Sequence, residues 1–268
     1  MKTSTLLVPF DFTTVTESAA KDAITIAKQT KAEIHLLHVV KNTRAMQDVN
    51  TKLELFIESL AAEGVKIIGR IEVGSIYEDI GRVAEEIKAS VIIMGTHGAK
   101  GMQKVFGSFA IKVITSTSVP FMVVQEKLIN DRIKKIVFPI TASKESLQIL
   151  TSTANLAKAL NATVEVVYET KSEIAVQRKI KNYAQIALTQ LTEQGLKDSK
   201  AYKLNGKGTY QEQILDFSLR HDADLISVAY YTEKVFAQFD NFAQELITNK
   251  HQIPTLIVKT VDSTVGYF

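Results

Sequence analysis

The chain has 268 residues, 46% of them apolar and 23% charged, enough to bury one large core or two of ordinary size. A formal charge of +3 with dispersed lysines is too small for a nucleic-acid face, and the lack of cysteine removes disulfides and thiolate metal sites. No run approaches the roughly 18 apolar residues of a membrane span, and the apolar run before Pro9 is too short for a signal peptide core, so a cytoplasmic protein with no membrane partner is expected.

Leu6, Leu7 and Val8 read as a short buried strand that ends in Pro9, Phe10 and Asp11. Thr13, Thr14 and Thr16 supply polar turn chemistry, and Thr14 with Glu17 three residues on has the form of a capping box. Ala19, Ala20, Ala23, Ile24 and Ala27 then recur at helical spacing. Residues 34–40, IHLLHVV, are the second strand. His35 and His38 lie three apart on it, so they face opposite sides and cannot chelate one metal. A helix holding Leu53 and Leu60 stops at Gly64, residues 66–73 alternate as a third strand, and 76–88 are amphipathic. Val91, Ile92, Ile93 and Met94 form a buried fourth strand. A helix over 108–116 and a strand over 121–124 follow. The order βαβαβαβαβ predicts a parallel sheet with helices on both faces.

The chemistry concentrates in residues 90–108, SVIIMGTHGAKGMQKVFGS. Gly95, Gly98 and Gly101 follow the strand, and Gly107-Ser108 precedes the helix. Glycine lets the backbone come close to a ligand, and a helix beginning at Ser108 points unpaired N–H groups back at the loop. Strand, loop and helix start make an anion cradle, for which phosphate is the usual occupant. A plain tight turn between strand and helix is the alternative. The common phosphate signatures are absent. Residues 64–70 imitate a P-loop spacing without its Lys-Ser/Thr, and Gly206-Lys207-Gly208 meets Gln211 where a third glycine belongs.

From residue 132 the pattern begins again. Ile136 to Ile140 in sequence copy Leu6 to Phe10 at an offset of 130, with Pro139 answering Pro9. Residues 162–168 echo 32–40, 208–214 match 74–80, 223–226 match 89–92, 242–248 answer 109–115, and Pro254 answers Pro120. The repeat predicts two α/β domains, 1–127 and 132–261, joined by a polar linker over 126–132. The copies differ chemically. Thr141 stands for Asp11; Ala229, Tyr230, Tyr231 and Thr232 stand for Gly95, Thr96, His97 and Gly98; and Asp240-Asn241 stands for Gly107-Ser108. Each change removes something useful to a phosphate, so the second domain is expected to be a degenerate copy, with Tyr230 and Tyr231 capping its loop.

These residues resemble the universal stress protein family in a tandem form. The likeness rests on Val8-Pro9-Phe10-Asp11, the LLHVV strand, VIIMGTHG, the later Gly-Ser and the closing Val-Pro-x-x-Val-Val strand. In the family motif G-x2-G-x9-G-[S/T], this chain has eight residues, 99–106, in place of nine. The resemblance implies two Rossmann-like domains of the adenine nucleotide alpha hydrolase type, each a five-stranded parallel sheet of order 3-2-1-4-5. In that order strand progression reverses between strands 1 and 4, and ligands bind beyond the carboxyl ends there: Pro9 to Asp11 on one lip, Met94 to Gly98 on the other.

The resemblance further implies roles. Pro9 and Asp11 border adenine and ribose, Val39 and Val40 contact the base, and Met94 closes strand 4. Gly95, His97, Gly98, Gly107, Ser108 and Phe109 bind phosphates, with Lys100 and Lys104 nearby. Asp11 also reads as the cap of a βα turn. The implied ligand is ATP, or AMP or ADP, with Mg²⁺ as its accompanying ion, in a nucleotide-dependent regulatory role in stress response. A homodimer is implied, as is pairing of the last strands, 121–124 and 255–258, across the internal interface. No general base is visible, so at most weak ATP hydrolysis is expected. The alternatives are a nucleotide-free interaction module of the same family and an adenylating enzyme. The latter's Ser-Gly-Gly-x-Asp-Ser is absent after the first strand.

Overall fold

Leu6, Leu7 and Val8 are at most 2% exposed, and successive residues of a strand point to opposite faces, so the first strand is covered on both sides. The computed structural model describes residues 4–96, 108–230 and 241–260. The chain divides into two units, Met1–Arg132 and Ile133–Phe268.

In the first unit β1 (Thr5–Pro9), α1 (Thr14–Thr30), β2 (Glu33–Val40), α2 (Met46–Ser59), β3 (Ile67–Val73), α3 (Ile76–Glu86), β4 (Val91–Gly95), α4 (Ser108–Thr115) and β5 (Phe121–Val124) follow in order. The strands are parallel in the order β3-β2-β1-β4-β5. The chain runs outward from β1 to β3 and then returns to the other side of β1 at β4. Strand progression reverses between β1 and β4, and their carboxyl ends part into a crevice. α1 packs on β1 and β4, α2 on β3, and α3 on α4.

The second unit repeats the plan. β6 (Lys135–Ile140), α5 (Glu145–Gln148), α6 (Leu150–Leu160), β7 (Thr163–Glu169), α7 (Ile174–Glu193), β8 (Lys200–Leu204), α8 (Tyr210–Arg220), β9 (Leu225–Tyr230), α9 (Asn241–Ile247) and β10 (Thr255–Lys259) give a parallel order β8-β7-β6-β9-β10. The register is kept as well. Pro139 lies opposite Val167 as Pro9 lies opposite Leu37.

Two local expectations are corrected. The N-cap of α1 is Thr13, and no side chain caps the helix there. The Thr13 hydroxyl is turned back to donate to Asp11, so the Thr14–Glu17 pair forms no capping box. A capping box is found in the second unit, where Thr209 and Glu212 bond reciprocally at the start of α8. The polar segment 126–132 is also more than a linker. The Ile129 N–H donates to Asp22 Oδ1 at 2.8 Å. Asp22 lies on the covered face of α1, 1% exposed, and its Oδ2 meets no donor among the described residues. Burial pushes its carboxyl up to about 7, against the smaller opposing effect of the Ile129 N–H. Among the described residues no helix is long and apolar enough to cross a membrane.

Candidate functional site

The carboxyl ends of β1, β2 and β4, with the start of α3, enclose a crevice of about 250 Å³. Its walls come from backbone topology. Pro9, Phe10 and Asp11 leave β1, Leu37 to Val39 end β2, Ile76 and Ile80 face it from α3, and Met94 and Gly95 end β4. Among the described residues the lining is mostly apolar with one carboxylate, the composition of a small-ligand site.

Asp11 is built into the turn between β1 and α1. Its Oδ1 accepts from the Thr13 N–H at 3.1 Å, the Thr13 hydroxyl at 2.6 Å and the Thr16 hydroxyl at 2.9 Å. Partial burial pulls its pKa up, but these hydrogen bonds, with a smaller contribution from His38, outweigh it and hold the carboxyl below its ordinary value. The cap and the ligand-facing readings of Asp11 are therefore compatible. Oδ1 serves the turn, and Oδ2 has no bond to any described residue. In the second unit Thr141 keeps the turn by accepting from the Ser143 N–H at 3.2 Å, and brings no charge.

Phe12, the next residue, has φ of 64°. A bulky side chain in the left-handed region is uncommon and costs on the order of 1–3 kcal/mol. Its ring is held edge-on to Phe10 at 5.0 Å and tilted over His38 at 5.2 Å. His38 in turn places Nδ1 at 2.8 Å from the Phe10 carbonyl. A carbonyl only accepts, so Nδ1 carries the proton and satisfies the end of β1 from the neighbouring strand. His35 faces elsewhere. Its Nδ1 accepts from Arg70 Nε at 2.8 Å, and desolvation lowers its pKa despite Glu33 beside it. No metal-type cluster of His, Cys, Asp or Glu occurs among the described residues.

Of the residues singled out from sequence, Pro9, Asp11, Val39, Met94 and Gly95 line the crevice together. Val40 does not. Its side chain is buried, and its carbonyl accepts from the Gly74 N–H at 2.9 Å, so it braces β2 against the β3 turn. Ser108 and Phe109 open α4. His97, Gly98 and Gly107, with Tyr231, Thr232 and Asp240 of the second unit, lie outside the described residues.

Gly95 acquires a second reason to be glycine. A Cβ there would stand 2.5 Å from the Val15 carbonyl oxygen and 3.3 Å from the Ala19 Cβ. α1 and β4 approach too closely for any side chain. Gly95→Ala is expected to lower the unfolding midpoint by an overpacking cost of about 1–3 kcal/mol, read by urea denaturation. An unchanged midpoint would show that α1 moves aside freely.

Sequence reading missed His38, Phe12, Ile76 and Ile80. The first two were visible only as strand-end and turn residues, and the last two as the apolar face of an amphipathic helix. Their shared signal is adjacency to a strand carboxyl end, which becomes specific only once the sheet order is known.

A model of the universal stress protein family matches residues 2–125. A universal stress protein of Methanocaldococcus jannaschii is 32% identical over 138 residues, which span 45% of this chain and 81% of that protein. The chain belongs to the universal stress protein family. A second universal stress protein of the same organism is 25% identical over 153 residues, 46% of this chain and 94% of its own. A solved universal stress protein from Archaeoglobus fulgidus aligns at 15% identity with a TM-score of 0.75, covering 97% of this chain and 99% of that one. At that identity the likeness speaks to fold, and it extends the family fold across both halves of the chain.

Proposed function

We propose that the chain binds one adenine nucleotide, with ATP as the expected form, in the crevice of the first unit, and that occupancy regulates stability or partner binding in a stress response. The observation that carries this reading is the crevice itself: an apolar slot at the β1/β4 reversal, with one carboxylate on its lip and a helix N-terminus beyond the adjacent strand. In this reading the base lies against Val39, Ile76 and Ile80, and a ribose hydroxyl donates to Asp11 Oδ2. The phosphates run past Gly95 toward the first turn of α4, where unpaired N–H groups favour negative charge. Mg²⁺ carried in with ATP would take its oxygen ligands from the phosphates and water.

Binding suits the site better than turnover. Asp11, the one carboxylate lining the crevice among the described residues, is held below its ordinary pKa and has one oxygen fully engaged, which makes it a weak general base. The second unit serves as a structural partner, and we extend the reading to a cytoplasmic homodimer on the family resemblance.

The test is a thermal-shift titration of the intact chain with ATP, AMP and, as control, a non-adenine nucleotide. ATP should raise the midpoint progressively with concentration, as mass action requires. Asp11→Ala should weaken the response by roughly tenfold to a hundredfold in apparent affinity, the value of a charge-assisted hydrogen bond of about 1.5–3 kcal/mol. No shift with either adenine nucleotide would refute the proposal.

A further inference from the structure

The place that forms the crevice in the first unit is filled in the second. The capping box of Thr209 and Glu212 fixes Tyr210 as the first residue of α8, at the repeat position of Ile76. Its hydroxyl reaches across to the strand ends, 3.0 Å from the Ile140 carbonyl oxygen and 2.8 Å from that of Val167. One proton serves both oxygens, which straddle the ends of β6 and β7. The ring stacks on Phe242 of α9, with centroids 5.7 Å apart and planes at 25°. Desolvation pushes the phenol well above its ordinary pKa, so the hydroxyl remains a donor throughout the physiological range.

The first unit shares the sheet pairing but not the tyrosine. The Leu37 carbonyl accepts from the Phe10 N–H at 2.8 Å, as the same register gives the Val167 carbonyl the Ile140 N–H, and the Phe10 carbonyl takes His38 Nδ1. Ile76, at the repeat position of Tyr210, has no hydroxyl to reach across the strand ends. Space remains.

We propose that Tyr210 is a resident occupant of the second crevice, a ring with a donor at its tip seated where the first unit leaves room for an exchangeable ligand. The site beneath it is a latent pocket for a planar aromatic molecule carrying one hydrogen-bond donor, with simple phenols as the minimal case. Tyr210 thereby sets how many aromatic ligands the chain can hold. The inference rests on the proposed function only in taking the strand-end crevice as the place where ligands sit.

The experiment is Tyr210→Ala in the full chain, probed with 4-methylphenol and with toluene by thermal shift and by saturation-transfer NMR. The variant should unfold at lower temperature than wild type. Millimolar 4-methylphenol should recover several degrees of that loss and show transfer, while wild type responds to neither compound. Toluene, the same ring without the hydroxyl, should recover much less, because it cannot make the hydrogen bonds that the Tyr210 hydroxyl gives to the Ile140 and Val167 carbonyls. Should Tyr210→Ala fail to fold, Tyr210→Ile, which installs the first unit's residue, is probed in the same way. Tyr210→Phe should unfold below wild type and remain unresponsive to 4-methylphenol, since the ring is still in place. Equal responses of wild type and variant, no response of the variant, or toluene matching 4-methylphenol would each overturn the proposal. No arm involves a nucleotide, so failure here is distinct from failure of the proposed function.

Discussion

Asp22→Asn is expected to stabilise the chain at pH 8 and to leave it nearly unchanged at pH 4. The native carboxyl, 1% exposed with a single backbone donor, titrates at about 7, whereas the same group in an unfolded chain titrates near 4. Between those values the folded state binds more protons than the unfolded state, so stability falls as pH rises. The loss begins above the unfolded value, is complete once pH passes about 7, and amounts to up to about 4 kcal/mol. The amide keeps an oxygen for the Ile129 N–H and removes the charge, so its advantage should open across that same window. Urea midpoints of wild type and variant, taken from pH 4 to 8, test this directly; with two units in the chain, the midpoint of the transition is a safer observable than one extrapolated free energy. A variant equally destabilised at every pH would mean that the hydrogen bond, and not the buried charge, dominates.

The second large effect concerns the crevice. Ile76→Tyr is expected to abolish nucleotide binding while leaving the fold intact. The substitution copies the second unit's solution into the first, and the acceptors it needs are present. The register Pro9–Leu37 matches Pro139–Val167, and each carbonyl oxygen has a second lone pair beyond the one already used. A tyrosine at the start of α3 can therefore lay its ring over the β1 and β2 ends and donate there, as Tyr210 does. A ligand would have to displace both the ring and its hydrogen bond, so no binding should remain at nucleotide concentrations that fill the wild-type crevice.

Much of this architecture was legible in the residues, because apolar runs bounded by glycine and proline mark buried strands, and the repeated Val-Pro motifs mark two copies of one sheet. The order of strands and the opposed lips of the crevice followed from the family resemblance, and the structure places Pro9, Asp11, Met94 and Gly95 on them. What was not legible depended on direction in space. Val40 fits the pattern of its neighbours, yet strand alternation turns it into the core. Gly95 reads as an anion contact, and its closest constraint is the Val15 carbonyl of a helix packed behind it. Asp22 reads as the edge of an alanine face and proves to be inside it. The closing of the second crevice was sought at Thr141, at Asp240-Asn241 and in Tyr230 and Tyr231 capping the loop. Tyr210 is the change that sequence reading passed over. Tyr210 in place of Ile76 looks like an ordinary exchange of one apolar residue for another until its hydroxyl is seen between two strand ends.

The most direct measurement is native mass spectrometry of the intact chain titrated with ATP, run beside Ile76→Tyr. One adenine nucleotide per chain in wild type and none in the variant is the predicted result; two per chain, or one that persists in Ile76→Tyr, would contradict a single site in the first unit's crevice.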